Sequence, residues 1–281
     1  MKYDSNTAIV VMTCDSYSDL WHDYFALKAK YWGNCKFITY IVTEEKECTE
    51  TNTITIKCGF NTEWSERLRI ALKQIEQRYI ILTLEDFYFA APIDATVIEE
   101  AVALVESDGI MYYKFYERYH VRKKLYKGLE HLHVIPPSTR YGISVLTAIW
   151  DRNYLLNVIK DENYSAWEFE LLRNRIDDIT KREPQLCIYD NRHLLHLLHM
   201  IERGKYLSTS VAKLRRKGYR IDSSIRGTNG YWKCVVTSFQ DKLHGYEPLR
   251  RMLVKVLHFF GKKTVSETYE DKYGNSLNKL H

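Results

Sequence analysis

The chain has 281 residues, enough for one large domain or one domain with a helical appendage. It has 45% hydrophobic residues but no run reaching the roughly 18 apolar residues of a membrane span. Cys14, Cys35, Cys48, Cys58, Cys187 and Cys234 form no C-x-x-C pair, which argues against a zinc site or disulfide framework; with an N-terminus too polar for a signal peptide, a reducing cytoplasm is the expected location. The net charge of +5 is uneven: Arg203–Lys263 holds 15 Lys/Arg against 3 Asp/Glu, a balance of +12 that leaves −7 elsewhere, so a negatively charged partner is expected for that segment.

In chain order, Ala8–Thr13 reads as a buried strand ending in Cys14-Asp15-Ser16, and Ser18–Tyr31 has helical spacing through Leu20, Trp21, Tyr24, Phe25 and Leu27. Lys36–Val42 and Thr53–Lys57 are strands. Ser65–Gln77 is an amphipathic helix with Asn61, Thr62 or Ser65 as its cap. The strand Tyr79–Leu84 ends in Glu85-Asp86. Asp94–Glu106 is a helix and Gly109–Phe115 a further strand. This alternation predicts an α/β fold with a mixed, mostly parallel sheet flanked by helices.

The charged, Tyr- and His-rich stretch Tyr116–Thr139, with Pro136-Pro137, reads as a loop or lid. Ser144–Lys160 joins an apolar run to a helix, Ala166–Arg175 starts another helix, and Cys187–Tyr189 is a short strand. From Arg192 onward most of the chain reads as helix, interrupted near Gly218 and between Gly227 and Gly230. The expected division is a catalytic domain over 1–202 and a basic, mainly helical C-terminal segment over 203–281.

Glu85 and Asp86 are the most telling pair. Carboxylates at the C-terminal end of a buried strand sit where open α/β sheets bind ligands, and they attract divalent metal. Their structural alternative is to cap the following turn and pair with an Arg. The segments VMTCDSYSDLW, EWSERLRIALKQI, YIILTLEDFYF and SAWEFE, spread over about 8–210, together resemble a family of bacterial glycosyltransferases of the GT-A type that serve capsule and surface-polysaccharide synthesis. The resemblance implies a Rossmann-like nucleotide-sugar domain.

It also implies roles. GT-A enzymes carry a D-x-D motif whose last Asp holds a divalent metal, Mn or Mg, against the donor diphosphate. Leu84-Glu85-Asp86 matches it without the first Asp. Asp86 then takes the metal position, and Glu85 assists or contacts the ribose. Thr13, Cys14 and Asp15 fall under the nucleotide base and ribose; Asp15 can accept from a base N–H or ribose hydroxyl, or serve as an Asx turn or helix cap. Trp64 and Arg67 open a helix placed beside the donor, where a helix N-terminus and a fixed cation favour anions. The plainer reading is a Trp64 staple and an Arg67–Glu63 surface pair.

Inverting transfer needs a carboxylate to deprotonate the acceptor hydroxyl. Glu170 and Glu168 are the candidates; Ser165-x-x-Glu168 is also a capping-box pattern, which leaves Glu170 freer. Trp167 is a candidate sugar-stacking platform, and His131 and His133 are candidate acceptor contacts. Lys205 after Gly204 is a candidate diphosphate contact or a solvated residue past a helix cap. His193, His196 and His199 recur every three residues in an expected helix, and no metal role is assigned to them. Leu249–Phe260 is an amphipathic basic stretch suited to an anionic membrane surface.

The expected function is a cytoplasmic glycosyltransferase, peripheral at the inner face of the membrane. It would move sugar from a nucleotide-sugar donor, UDP-linked by preference, to a glycan or lipid-linked glycan acceptor. No nucleic-acid partner is expected. The rivals are a sugar nucleotidyltransferase, which the glycine-free CDSYSDLW argues against, and a non-catalytic scaffold binding membrane or polysaccharide.

Overall fold

The computed structural model describes residues 6–115, 124–137, 139, 142–173 and 185–230, together with residues 234, 255, 258, 259 and 261. Four parallel strands form one half of the main sheet: β1 (Thr7–Met12), β2 (Ile38–Thr43), β3 (Ile54–Lys57) and β4 (Tyr79–Leu84). Every residue of β1 is buried, because helices cover both faces and a parallel strand between them needs apolar side chains on both sides.

The other half consists of β6 (Tyr112–Lys114), β7 (Lys124–Tyr126), β8 (Leu129–Val134), β9 (Ala148–Asp151) and β10 (Cys187–Asp190). The nine-stranded order is β3-β2-β1-β4-β9-β6-β10-β8-β7. Strand β9 runs against β4 and β6, and β8 runs against β10 and β7, while β6 and β10 are parallel. The fold is mixed α/β with a large, mostly parallel central sheet.

One face of the sheet packs on α1 (Trp21–Tyr31) and α3 (Ala95–Asp108); Ile9, Val11, Ile81, Tyr113 and Ile149 point there. The other packs on α2 (Trp64–Gln74), α4 (Arg152–Ile159) and α5 (Ala166–Arg173), against Val10, Leu82, Tyr112 and Trp150. Local signals mark the helix ends. The Asp94 carboxylate accepts from the Thr96 N–H at the start of α3, and Gly109, at φ 64°, ends it in the left-handed conformation. A 3-10 turn over Asp15–Leu20 precedes α1 and replaces the first part of the expected Ser18–Tyr31 helix.

Three expectations need correction. The Tyr116–Thr139 loop contains β7 and β8 among its described residues. The N-cap of α2 is Glu63, not Asn61, Thr62 or Ser65; the Ser65 hydroxyl instead donates to Glu162 O at 2.9 Å and accepts from Tyr164 N–H at 2.9 Å. The helix expected from Arg192 is interrupted by strands. β11 (Leu197–His199) pairs antiparallel with β5 (Phe87–Phe89), and β12 (Ile201–Glu202) and β13 (Lys205–Leu207) form a hairpin. Arg203 and Gly204, at φ 51° and 77°, make its two-residue turn, so Gly204 is a hairpin residue rather than a helix cap.

Helix α6 (Ser208–Arg216) and a short strand β14 (Thr228–Asn229) follow. Residues 203–229 pack back on the α1 side through Tyr206 and Leu214, and the Tyr219 hydroxyl donates to Asp23 at 2.8 Å. The stretch Leu249–Phe260 lies outside the described residues apart from Lys255, His258 and Phe259. Among the described residues no helix is long and apolar enough to cross a membrane.

Candidate active site

From β1 the chain proceeds outward to β2 and β3, then returns to the opposite side of β1 as β4. The reversal creates a crevice at the C-terminal ends of β1 and β4, where open α/β sheets take ligands. Residues 13–15 and 85–86 are the ends of those two strands.

Thr13 is buried; its hydroxyl accepts from Trp21 Nε1 at 3.0 Å and also bonds Glu85. Asp15 is fully engaged by the neighbouring loop: its carboxylate accepts from the backbone N–H groups of Glu44, Glu45 and Lys46 at 3.0–3.2 Å. It clips the end of β1 to the end of β2 and is not the N-cap of the 3-10 turn, a position held by Cys14. Burial pushes the Cys14 thiol up, and the charges of Glu85, Arg67 and Glu44 all reach it.

Arg67 is buried in the first turn of α2. Its guanidinium donates to Thr62 O and lies 3.7 Å from the Glu44 carboxylate; this is the ion pair formed, rather than one with Glu63. Its Nε is buried without an acceptor. Trp64 is a core residue, its ring 5.6 Å from Phe169. Residues 13–15, Arg67, Glu85 and Asp86 therefore converge on one crevice.

The two carboxylates differ in their surroundings. Glu85 is 7% exposed, and burial followed by repulsion from Asp86 pushes it up to about 8, so near neutral pH it holds a proton. Asp86 follows it at the end of β4 and is half-buried. Its Oδ2 lies 3.2 Å from His199 Nε2, and its Oδ1 is buried with no hydrogen-bond partner. The His199 ring stacks on Phe87 at 5.0 Å, Met200 N–H donates to Asp86 O at 2.8 Å, and the Ser210 hydroxyl donates to His199 O at 2.7 Å. The β5–β11 pairing thus holds His199 against Asp86 from three directions.

Asp86 and His199 fit a divalent ion. A buried carboxylate oxygen without a donor is costly unless a cation completes it, and an imidazole nitrogen beside a carboxylate is a chemically suitable second ligand. Among the described residues there is no group of three or more His, Cys, Asp or Glu able to hold a metal, so the remaining ligands would come from substrate phosphate and water.

Two further residues at this wall were not apparent in the sequence. The Arg226 guanidinium forks onto both Asp19 oxygens at 2.5 and 2.7 Å, donates to Ser16 O at 2.6 Å and stacks 4.2 Å over the Tyr17 ring. Burial raises the Tyr17 hydroxyl, and the charges of Arg226, Glu85 and Asp86 reach it. Arg226 is the cation the C-terminal segment sends here, whereas Lys205 is exposed on the β12–β13 hairpin. A lone Arg before a Gly carries no local signal for this contact.

On the other face of the sheet, Ser165 and Glu168 form the expected capping box at 2.7 and 3.3 Å. Glu170 Oε1 accepts from Val145 N–H at 3.3 Å, and Trp167 is 64% exposed. His131 and His133 do not come to Asp86: their strand β8 is separated from β4 by β9, β6 and β10, roughly 19 Å at 4.8 Å per strand step. His133 is buried against Tyr189, with its Nε2 3.2 Å from the Asn191 amide.

No family model matches the chain, and no curated protein matches it. Among solved structures it is similar to S. aureus TarS, with a TM-score of 0.45 and 11% identity over 70% of this chain and 37% of that one. It is also similar to S. aureus TarS 1–349 in complex with UDP-GlcNAc, at 0.45 and 12% over 90% and 73% of the two chains. A third is the mannosyltransferase PcManGT from Pyrobaculum calidifontis in complex with GDP-Man and Mn2+, at 0.42 and 10% over 98% and 81%. The chain spans little more than a third of the full TarS chain. Likenesses this distant leave the functional question to the chain's own residues.

Proposed function

We propose that the chain is a GT-A-like glycosyltransferase using a nucleotide-sugar donor, UDP-linked by preference, and a glycan or lipid-linked glycan acceptor of bacterial surface-polysaccharide synthesis. It would work in the cytoplasm, at the inner face of the membrane. The observation that carries the reading is the Asp86 carboxylate at the topological switch point, with one oxygen on His199 and the other buried without a partner. The unpartnered Arg67 Nε beside the same crevice supports it, since a phosphate oxygen would supply the missing acceptor.

In this reading Asp86 and His199 would hold a divalent ion, Mn2+ or Mg2+, and such an ion would supply positive charge against the diphosphate leaving group. Arg67 adds a fixed cation to the same end of the donor. Asp15 keeps the β1 and β2 ends together beneath the nucleotide. Protonated Glu85 would donate a hydrogen bond to a ribose hydroxyl and spare the donor a second negative charge. Glu170 accepts the acceptor hydroxyl proton as that oxygen attacks the anomeric carbon from the face opposite the departing diphosphate, giving inversion. Glu168 is committed to the capping box and so is less available for this role; Trp167 offers a stacking surface for the acceptor sugar.

Calorimetric binding of UDP-, GDP-, CMP- and dTDP-sugars, with and without Mn2+, tests this for the wild type and Asp86→Ala. Selective binding of one nucleotide class that weakens at least tenfold in Asp86→Ala supports the reading. Absence of binding by every donor under every metal condition overturns it.

A further inference from the structure

The hairpin β12–β13 and helix α6 carry a charge pattern that the crevice does not use. No Asp or Glu falls between Arg203 and Arg220. Lys205, Lys213, Arg215, Arg216, Lys217 and Arg220 are all exposed, and none has an ion pair among the described residues. Helix α6 is rigidly seated: Leu214 is fully buried, Ser210 bonds His199 O, and Tyr219 bonds Asp23. Lys213, Arg215 and Arg216 are therefore fixed on a docked helix, with Lys217 and Arg220 just past its end and Lys205 on the neighbouring hairpin, rather than spread along a loose tail. Mutual repulsion among six unpaired cations costs stability unless something anionic covers them.

Ile225 lies in the turn that follows and is 74% exposed. No exposed aromatic ring interleaves with the cations: Tyr206 is buried and Tyr219 half-buried. Single-stranded nucleic acid and other stacking polymers are thus poorly matched. Exposed Lys and Arg followed, five residues after Arg220, by an exposed branched aliphatic, with Asp222 the one acidic residue in 205–225, match a surface that is anionic outside and apolar just beneath.

We propose that residues 205–225 form a docking face for an anionic lipid bilayer, with the α6 cations on the headgroups and Ile225 entering the acyl boundary. This face is distinct from the Leu249–Phe260 stretch and independent of the transfer reading. Because α6 is bolted to His199, docking would hold the Asp86 crevice at a fixed position relative to the membrane.

The test is co-sedimentation of the full chain with vesicles of phosphatidylcholine alone and of phosphatidylcholine mixed with phosphatidylglycerol, at low and physiological salt. Wild type is expected on the mixed vesicles only, more weakly as salt rises. The triple variant Lys213→Ala, Arg216→Ala, Lys217→Ala is expected to lose about a hundredfold in affinity, from about 1 kcal/mol per cation. Ile225→Ser is expected to lose about tenfold. A charge-keeping triple, Lys213→Arg, Arg216→Lys, Lys217→Arg, should retain binding, and circular dichroism checks that each variant folds. Equal binding to both vesicle types, no vesicle binding, or unchanged binding by the alanine triple overturns the proposal. So does binding to polyphosphate in solution with Ile225→Ser unchanged on mixed vesicles, which would identify a soluble polyanion as the partner.

Discussion

Replacing Glu85 by Gln tests the electrostatics of the crevice without removing its hydrogen-bonding capacity. The wild-type carboxyl is buried beside Asp86 and raised from an ordinary 4.5 to about 8. A carboxyl raised in the folded state favours folding fully below its unfolded value, and that advantage disappears as pH climbs through the folded one. Native stability is therefore lost between about pH 4.5 and 8, at up to 1.36 kcal/mol per pH unit. The full span is on the order of 5 kcal/mol. Gln presents both a donor and an acceptor and does not titrate, so the variant lacks this component. Urea unfolding at pH 5, 7 and 9 should show the two proteins nearly equal at pH 5 and Glu85→Gln more stable by several kcal/mol at pH 9. Groups that do not interact with Glu85 cancel in the difference. Parallel stability curves from pH 5 to 9 would refute both the raised carboxyl and the protonated state assigned to Glu85.

Three further outcomes are expected. Glu170→Gln should lower sugar-transfer kcat by about a hundredfold or more with donor binding intact, whereas Glu168→Ala should cost about 1 kcal/mol of stability through its capping box and little turnover; transfer rates and thermal melts separate the two. His199→Ala should weaken Mn2+ affinity about tenfold or more, read by Mn2+ titration in the presence of UDP, and leave metal-free nucleotide binding near wild type. Arg226→Ala should destabilise by about 1–3 kcal/mol in urea melts, since it removes a fork onto Asp19 and the stack on Tyr17.

The first half of the sheet was legible because burial on both faces writes itself as continuous apolar runs: AIVVM and YIILTL can hardly be anything but central strands. The end of β4 was equally readable, since Glu85-Asp86 breaks such a run abruptly. The cap spelled in adjacent residues, Ser165–Glu168 for α5, came through as well. The segment HLLHLLH did not. Its period of three suits neither helix nor strand, and its strand character comes from pairing with Phe87–Phe89, far away in sequence. Reading it as helix hid His199, whose value lies entirely in that pairing. Strand β8, with the half-exposed LEHLHV, looked like loop for the same reason: its order comes from β10 and β7 on either side. Asp15 could be recognised as important but not as a clip, because its three donors belong to a loop some thirty residues on.

The Asp86–His199 contact joins residues 113 positions apart. Contacts of such separation form late, after the loop-closure entropy of everything between them has been met. The parallel half, β1 to β4, can assemble from the first ninety or so residues, yet the site lacks a wall until β11 docks on β5 and α6 seats behind it. During synthesis the growing chain would thus expose its paired carboxylates for about 6–23 seconds, at roughly 5–20 residues per second, before His199 emerges. Acquisition of metal affinity would then mark the completion of folding, and a nascent chain arrested before β11 would fold its parallel strands while remaining unable to engage a donor.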